Sequence, residues 1–139
     1  MRVVLDTNIL VSGLMSFTSP PALILNALRT GQIVAVISEA TLAELEAVLR
    51  RPAIRRYLTR IGITPAEWLA DFRVQADLVT PVTSTVPIRD ECDRVFLNLL
   101  ATAPQPRYFV TGDKDFDAPE YSGVPVISAA DFVRLLKQS

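Results

Sequence analysis

The sequence predicts an α/β protein, a three-layer α/β/α sandwich around a mostly parallel central sheet. Three observations lead there. Short apolar runs at residues 3–5, 33–37 and 126–127 are each followed by a segment whose apolar residues recur at helical spacing. The run Ile33-Val34-Ala35-Val36-Ile37 is apolar throughout, as a strand covered on both faces must be. Strands joined through helical crossovers pair in parallel, and a chain of 139 residues that is 50% hydrophobic supplies one core of that kind.

In chain order, residues 3–5 form a β-branched-rich strand ending at Asp6-Thr7-Asn8, residues that favour turns and caps. Ser19-Pro20-Pro21 supplies an N-cap and a proline at the first helical position for a helix over 22–28, which Gly31 stops. After the strand at 33–37, Leu42, Leu45, Val48 and Leu49 repeat at helical spacing until Pro52 ends the segment. Residues 50–60 carry five arginines and no acid, with Ile54, Tyr57 and Leu58 interleaved, and predict a short basic helix. Thr64-Pro65-Ala66-Glu67 joins an N-cap, an N1 proline and an N3 glutamate, starting a helix that turns Trp68, Leu69 and Phe72 to the core. Residues 78–82 read as a third strand, at an edge or a strand end because of Pro81. A helix is expected over 90–103 with Phe96, Leu97, Leu99 and Leu100 buried. Strands follow at 108–111 and 126–127, and Ser128 caps a last helix bearing Phe132, Leu135 and Leu136.

Composition removes whole classes of chemistry. There is no histidine and one cysteine, Cys92, so an internal disulfide, a Cys/His zinc site, a Ser-His-Asp or Cys-His nucleophile and an imidazole base are all excluded. Any catalysis must run on carboxylates, Lys, Tyr or a metal. The net charge of -1 gives no global attraction to nucleic acid or anionic membrane. The N-terminus meets Asp6 after three apolar residues, too few for a signal-peptide core, and no apolar run approaches the roughly 18 residues of a membrane span. The expectation is a cytoplasmic protein of one domain, residues 1–139, without a membrane partner.

Ligand sites in parallel α/β sheets lie beyond the carboxyl ends of the strands. Asp6 follows the first strand directly, and Asp113 follows the 108–111 strand after Gly112. Asp93 precedes Phe96 and Leu97 by three and four residues, which puts it on the core-facing side of a first helical turn. Glu44 borders the apolar stripe of its helix beside Val48, and Glu46 borders the other side almost as well. Four carboxylates from distant parts of the chain are therefore expected to converge. Like charges held together raise each other's pKa unless a cation sits among them, and oxygen-only ligands suit Mg²⁺ or Mn²⁺.

These motifs resemble the PIN-domain ribonucleases, and among them the bacterial toxins of toxin-antitoxin systems. The residues that carry the resemblance are Val4-Leu5-Asp6-Thr7-Asn8, Ser38 through Leu42 to Glu44-Leu45, Arg89-Asp90 through Asp93 to Phe96-Leu97, and Val110-Thr111-Gly112-Asp113-Lys114-Asp115-Phe116. The resemblance implies that Asp6, Glu44, Asp93 and Asp113 bind catalytic Mg²⁺ or Mn²⁺, and that Asn8 and Thr111 support them by hydrogen bonding. It selects Glu44 over Glu46. It also implies hydrolysis of RNA phosphodiesters, a cognate antitoxin and a homodimer. Where many relatives read Arg-Asp-Pro-x-Asp, this chain reads Arg89-Asp90-Glu91-Cys92-Asp93 and lacks the proline that presets a helix start. Its loop presents either Asp113 or Asp115 to a metal.

Plainer readings compete with each of these. Asp6 and Asp113 also suit turns, Asp90 is the better N-cap than Asp93, and Asp117 and Glu120 read as solvated loop charges. The arginine cluster is either a solvated helix face or an RNA-binding surface formed by Arg51, Arg55 and Arg56. A receiver-like phospho-acceptor domain also gathers acids at strand ends, but it expects an acidic pair after its first strand, which Asp6-Thr7-Asn8 lacks. A non-catalytic binding module on the same fold is the other rival, and metal-dependent turnover separates the two.

Overall fold

The computed structural model describes residues 1–138. Its strands are β1 (Arg2–Leu5), β2 (Val34–Ile37), β3 (Asp77–Leu78), β4 (Tyr108–Val110), β5 (Glu120–Tyr121) and β6 (Val124–Ile127). Its helices are α1 (Thr7–Leu14), α2 (Pro20–Arg29), α3 (Glu39–Leu49), α4 (Pro52–Ile61), α5 (Pro65–Gln75), α6 (Arg94–Ala101) and α7 (Ala129–Lys137). The sheet order is β3-β2-β1-β4-β6-β5, parallel throughout except for the antiparallel pair β5 and β6. The predicted α/β sandwich with a mostly parallel sheet is the fold observed.

The two-residue period of a strand builds the layers. Val3, Leu5, Ala35, Ile37 and Val110 point into one core, where Ile24, Leu45, Leu49, Leu58, Phe72 and Phe132 bring in α2, α3, α4, α5 and α7. Val4, Val36 and Phe109 point the other way, onto Phe96, Leu97, Leu99 and Leu100 of α6 and onto Phe116. The second core is closed by ring packing. Phe116 meets Phe109 edge-on at 4.8 Å between centroids, and Phe96 stacks on Phe109 at 5.9 Å.

Helix starts follow the capping residues. Ser19, Ser38, Thr64 and Ser128 each accept a hydrogen bond from a first-turn N–H, and at Ser38 the Thr41 hydroxyl returns the bond to complete a capping box. Elsewhere the structure departs from expectation. Thr7 opens α1 at once with Asp6 at the N-cap position, one of the two roles these residues favour, and the helix itself was not anticipated; its Ile9 and Leu10 bury in the larger core. The strand expected over 78–82 is Asp77–Leu78, with one further ladder bond from the Val79 N–H to the Ile37 carbonyl, before Pro81 ends pairing. The helix expected over 90–103 starts as a single 3-10 turn at Glu91–Asp93 and becomes α-helical at Arg94. β5 was not anticipated, and Glu120, expected in a loop, lies in it. Its hairpin to β6 turns on Ser122 and Gly123, both with positive φ, as a two-residue hairpin loop requires.

Arg94 fixes the extended segment before α6. Its guanidinium donates to the carbonyls of Ser84 and Val86 and pairs with Glu91 at 2.7 Å, while Asn98 accepts from the Ser84 N–H. At the other end of the larger core, α1 crosses α2 at Gly13, where an added Cβ would lie 2.6 Å from the Pro21 carbonyl oxygen and 2.9 Å from Leu25 Cδ1. Gly13→Ala is therefore expected to destabilise the fold by about 1–3 kcal/mol, since the backbone of α2 must shift to admit it. Urea unfolding measures this, and an unchanged midpoint contradicts the close approach.

Candidate metal centre

β1 and β4 are neighbours at the middle of the sheet, and strand order runs outward from them in both directions, to β2 and to β6. That switch point opens a crevice beyond their carboxyl ends. Asp6 is the first residue past β1 and is 5% exposed, with its N–H still bonded to the Val110 carbonyl of β4. The Thr111 hydroxyl, first past β4, donates to Asp6 Oδ2 at 2.7 Å and accepts from the Asp113 N–H at 3.0 Å. Asp113 Oδ1 in turn accepts from the Asp115 N–H at 2.9 Å, which folds the loop into an Asx turn. Three acids are thus tied through one threonine.

The remaining acids come from helices. Ser38 and its capping box start α3 directly after β2, which brings Glu44 up beside Thr7 and Asp6. Its Oε2 is buried without a hydrogen-bond partner among the described residues. Glu46, the other candidate on this helix, instead pairs with exposed Arg50 at 3.1 Å. Asp90 caps the 3-10 turn by accepting from the Cys92 N–H, and Asp93 closes that turn at the entrance to α6. Asp90, Asp93 and Asp115 each offer a carboxylate oxygen within 4.8 Å of the others.

The electrostatics record the crowding. Burial raises the Asp6 pKa, with the Asp113 charge adding to it, while Thr111 and the backbone N–H groups of Asn8 and Thr7 pull it down. Glu44 is raised by burial and then by Asp6, while a side-chain hydrogen bond with Thr7 and the Arg51 charge pull it partway back. Asp93 is pushed up to about 6 from 3.8, chiefly by desolvation and then by Asp113, Asp90, Asp6 and Asp115. A buried carboxylate oxygen with no donor, in a ring of acids, is the environment that a divalent cation relieves and that water-poor protein alone does not. The donor set is all oxygen, which fits a hard divalent cation.

Asp6, Asp93, Asp113 and Asp115 are close enough for their charges to act on one another, and Glu44 feels Asp6, but the acids whose oxygens lie within 4.8 Å of one another are Asp90, Asp93 and Asp115, a group that takes in Asp93 and Asp115 of the expected set and not Asp6, Glu44 or Asp113. Asn8 acts on Asp6 through its backbone N–H, and its side chain is exposed and makes no hydrogen bond among the described residues. Asp90 was read only as a helix cap and performs that task, but it also joins the acid group. Its signal lay in the spacing Asp90 to Asp93, which a single 3-10 turn places side by side. Arg89 reaches across to Asp115 at 3.7 Å and to Asp117 at 3.2 Å, so Asp117 is an ion-pair partner. The Cys92 thiol is exposed, and the carboxylate of Asp90 raises its pKa, which disfavours a reactive thiolate.

A parallel α/β sheet with a group of carboxylates beyond the strand ends at its switch point is an architecture able to hold a metal ion. The chain belongs to the PIN domain family, whose model matches residues 2–115, a span that contains every acid of the crevice. It is also similar to an uncharacterized protein, MJ1680, of Methanocaldococcus jannaschii, with 30% identity over 115 residues, 83% of this chain and 72% of that one. No solved structure gives a significant match.

The raised Asp93 pKa sets a pH dependence. Between 3.8 and about 6 the folded chain keeps a proton that the unfolded chain has released, so metal-free stability falls as pH rises through that window and levels above it. Asp6 and Glu44 act in the same direction. Asp93→Asn is expected to flatten the decline, raise the metal-free melting temperature near neutral pH, and abolish the rise that Mn²⁺ gives the unmodified protein. Thermal scans across this range decide it. A Mn²⁺-insensitive protein that Asp93→Asn destabilises has a structural aspartate there, not a ligand.

Proposed function

We propose that this protein is a metal-dependent endoribonuclease that hydrolyses RNA phosphodiester bonds and serves as the toxin of a toxin-antitoxin pair. The observation that carries the enzymatic reading is the partnerless, buried Glu44 Oε2 within a convergence of acids. Asp6, Asp93 and Asp113 are assigned to hold Mg²⁺ or Mn²⁺, with Asp90 and Asp115 on the same rim. When bound, such a cation supplies a lowered pKa for a water molecule and a counter-charge for the phosphate.

The side chains supply the rest. Thr111 locks Asp6 Oδ2, which fixes the carboxylate's orientation and, among the described residues, leaves Oδ1 without a side-chain donor. Glu44 orients the attacking water through Oε2 or holds a second ion. The Asx turn of Asp113 keeps the loop from swinging its acids out of the crevice. No histidine is needed as a base in such a scheme, and none is present. The toxin role, a cognate antitoxin, a homodimer and a cytoplasmic location rest on the family resemblance. A small reading frame overlapping or adjoining this gene and encoding a DNA-binding protein that binds this chain is the observation expected of a toxin.

Purified protein is expected to cleave single-stranded or structured RNA with Mg²⁺ or Mn²⁺ and to fall silent in EDTA. Asp6→Asn is expected to lose at least about a hundredfold in kcat, the order that follows from misplacing a metal-held nucleophile. Gel assays on labelled RNA measure both. Full activity in EDTA, or an unimpaired Asp6→Asn, overturns the mechanism, and absence of turnover with intact metal binding leaves the non-catalytic module.

A further inference from the structure

α4 is divided between two faces. Ile54 and Leu58 pack against the larger core, and the opposite side carries Arg55, Arg56 and Arg60, with Arg51 at the N-cap position. Arg2, Arg50, Arg73, Arg89, Arg94 and Arg134 all pair with a carboxylate. Among the described residues no such partner is found for Arg51, Arg55, Arg56 or Arg60, although the chain carries one more acid than base overall. Four desolvation-tolerant, bidentate donors left without acids, three on one helix of ten residues, about 15 Å long, and one at its N-cap, make a concentrated positive field.

The surface beside this row is concave. Arg50, Arg55 and Thr59 line two adjoining depressions of about 450 and 380 Å³, one running on to Thr64 and Pro65, the other bounded by Pro52 and Arg56, and no carboxylate lines either. The row also leads to the acid crevice. Arg51 lies two residues past the end of α3, the helix that carries Glu44, and its N–H is bonded to the Val48 carbonyl of that helix. The Arg51 charge is felt at the Glu44 carboxyl.

We infer that Arg51, Arg55 and Arg56, with the depressions beside them, form a phosphate-binding track that carries a single RNA strand to the acid crevice. This rests on the ribonuclease reading for the identity of the strand. The acid crevice by itself repels a polyanion, so a cationic approach next to it supplies the attraction that the neutral net charge does not. The guanidinium groups contact phosphates, so they position the strand without reading its sequence.

The test is binding of a short fluorescein-labelled single-stranded oligoribonucleotide, followed by anisotropy in EDTA over a salt series, with the full chain and its Arg51→Ala/Arg55→Ala/Arg56→Ala variant. Three lost phosphate contacts are expected to flatten the log-log salt slope by about 2 and to weaken binding roughly fiftyfold at about 0.15 M salt, at about 0.7 in slope per contact. Arg29→Ala/Arg134→Ala, on other helices, is the charge-loss control, and matching circular dichroism establishes that each variant is folded. An unchanged slope in the triple variant overturns the track. So does an unchanged slope combined with loss of binding to the neighbouring gene's product, which assigns the arginines to a protein partner. Because binding is read without metal or turnover, an inactive protein with the expected slope change fails the enzymatic reading alone, and an active protein with an unchanged slope fails the track alone.

Discussion

Mutual repulsion among carboxylates held at the centre of the sheet is the constraint around which the rest of this structure is arranged. Asp6 is buried at the end of β1, and Glu44, Asp93 and Asp113 raise its cost or bear the cost of its charge. Ordinary folding drives such groups apart or neutralises them with a base, and here the bases do little of that: Arg94 is taken up by the Ser84 and Val86 carbonyls and Glu91, Arg89 is shared between Asp115 and Asp117, and the Arg51 charge only partly offsets the rise at Glu44. The crevice keeps its negative charge because the two cores on either side of the sheet pin every element that contributes an acid.

That pinning is local chemistry repeated at four strand or helix ends. The capping box of Ser38 and Thr41 sets the phase of α3 and so decides that Glu44, and not Glu46, turns inward. Thr111 serves two acids with one hydroxyl, donating to Asp6 and accepting from the Asp113 N–H. Asp90 caps the turn that carries Asp93, doing the work of the proline missing from this motif. Phe116, directly after the loop acids, anchors them by packing its ring on Phe109 and Phe96. The acids are mobile only as far as these four anchors allow, and a pre-set ligand cage binds a cation without first having to be ordered.

The charge distribution extends the same logic outward. Acids occupy the strand ends and arginines without acidic partners occupy α4, so a chain of net charge -1 presents two strong and opposite local fields. Net charge conceals this separation, since it sums over distances longer than the screening length of physiological salt.

The sequence determined the fold class, because buried parallel strands require continuous apolar runs and their crossover helices require a 3.6-residue stripe, and both periods are present at residues 33–37 and around Leu45 and Phe96. Motif order and the absence of histidine also singled out carboxylates at the strand ends, among them Asp93 and Asp115 of the acid group, but not Asp90. Other features depended on the third dimension. The start of α1 at Thr7 was hidden because Asp-Thr-Asn serves a turn and a helix start equally well, and burial of Ile9 and Leu10 made the choice. β5 is two residues long and gains stability only from its hairpin partner. The choice between Glu44 and Glu46 turned on a few tens of degrees of helical phase, and the dual service of Asp90 on a single 3-10 turn. Local sequence sets which conformations are cheap, and only the packing of distant elements onto one sheet edge decides which of them a residue takes.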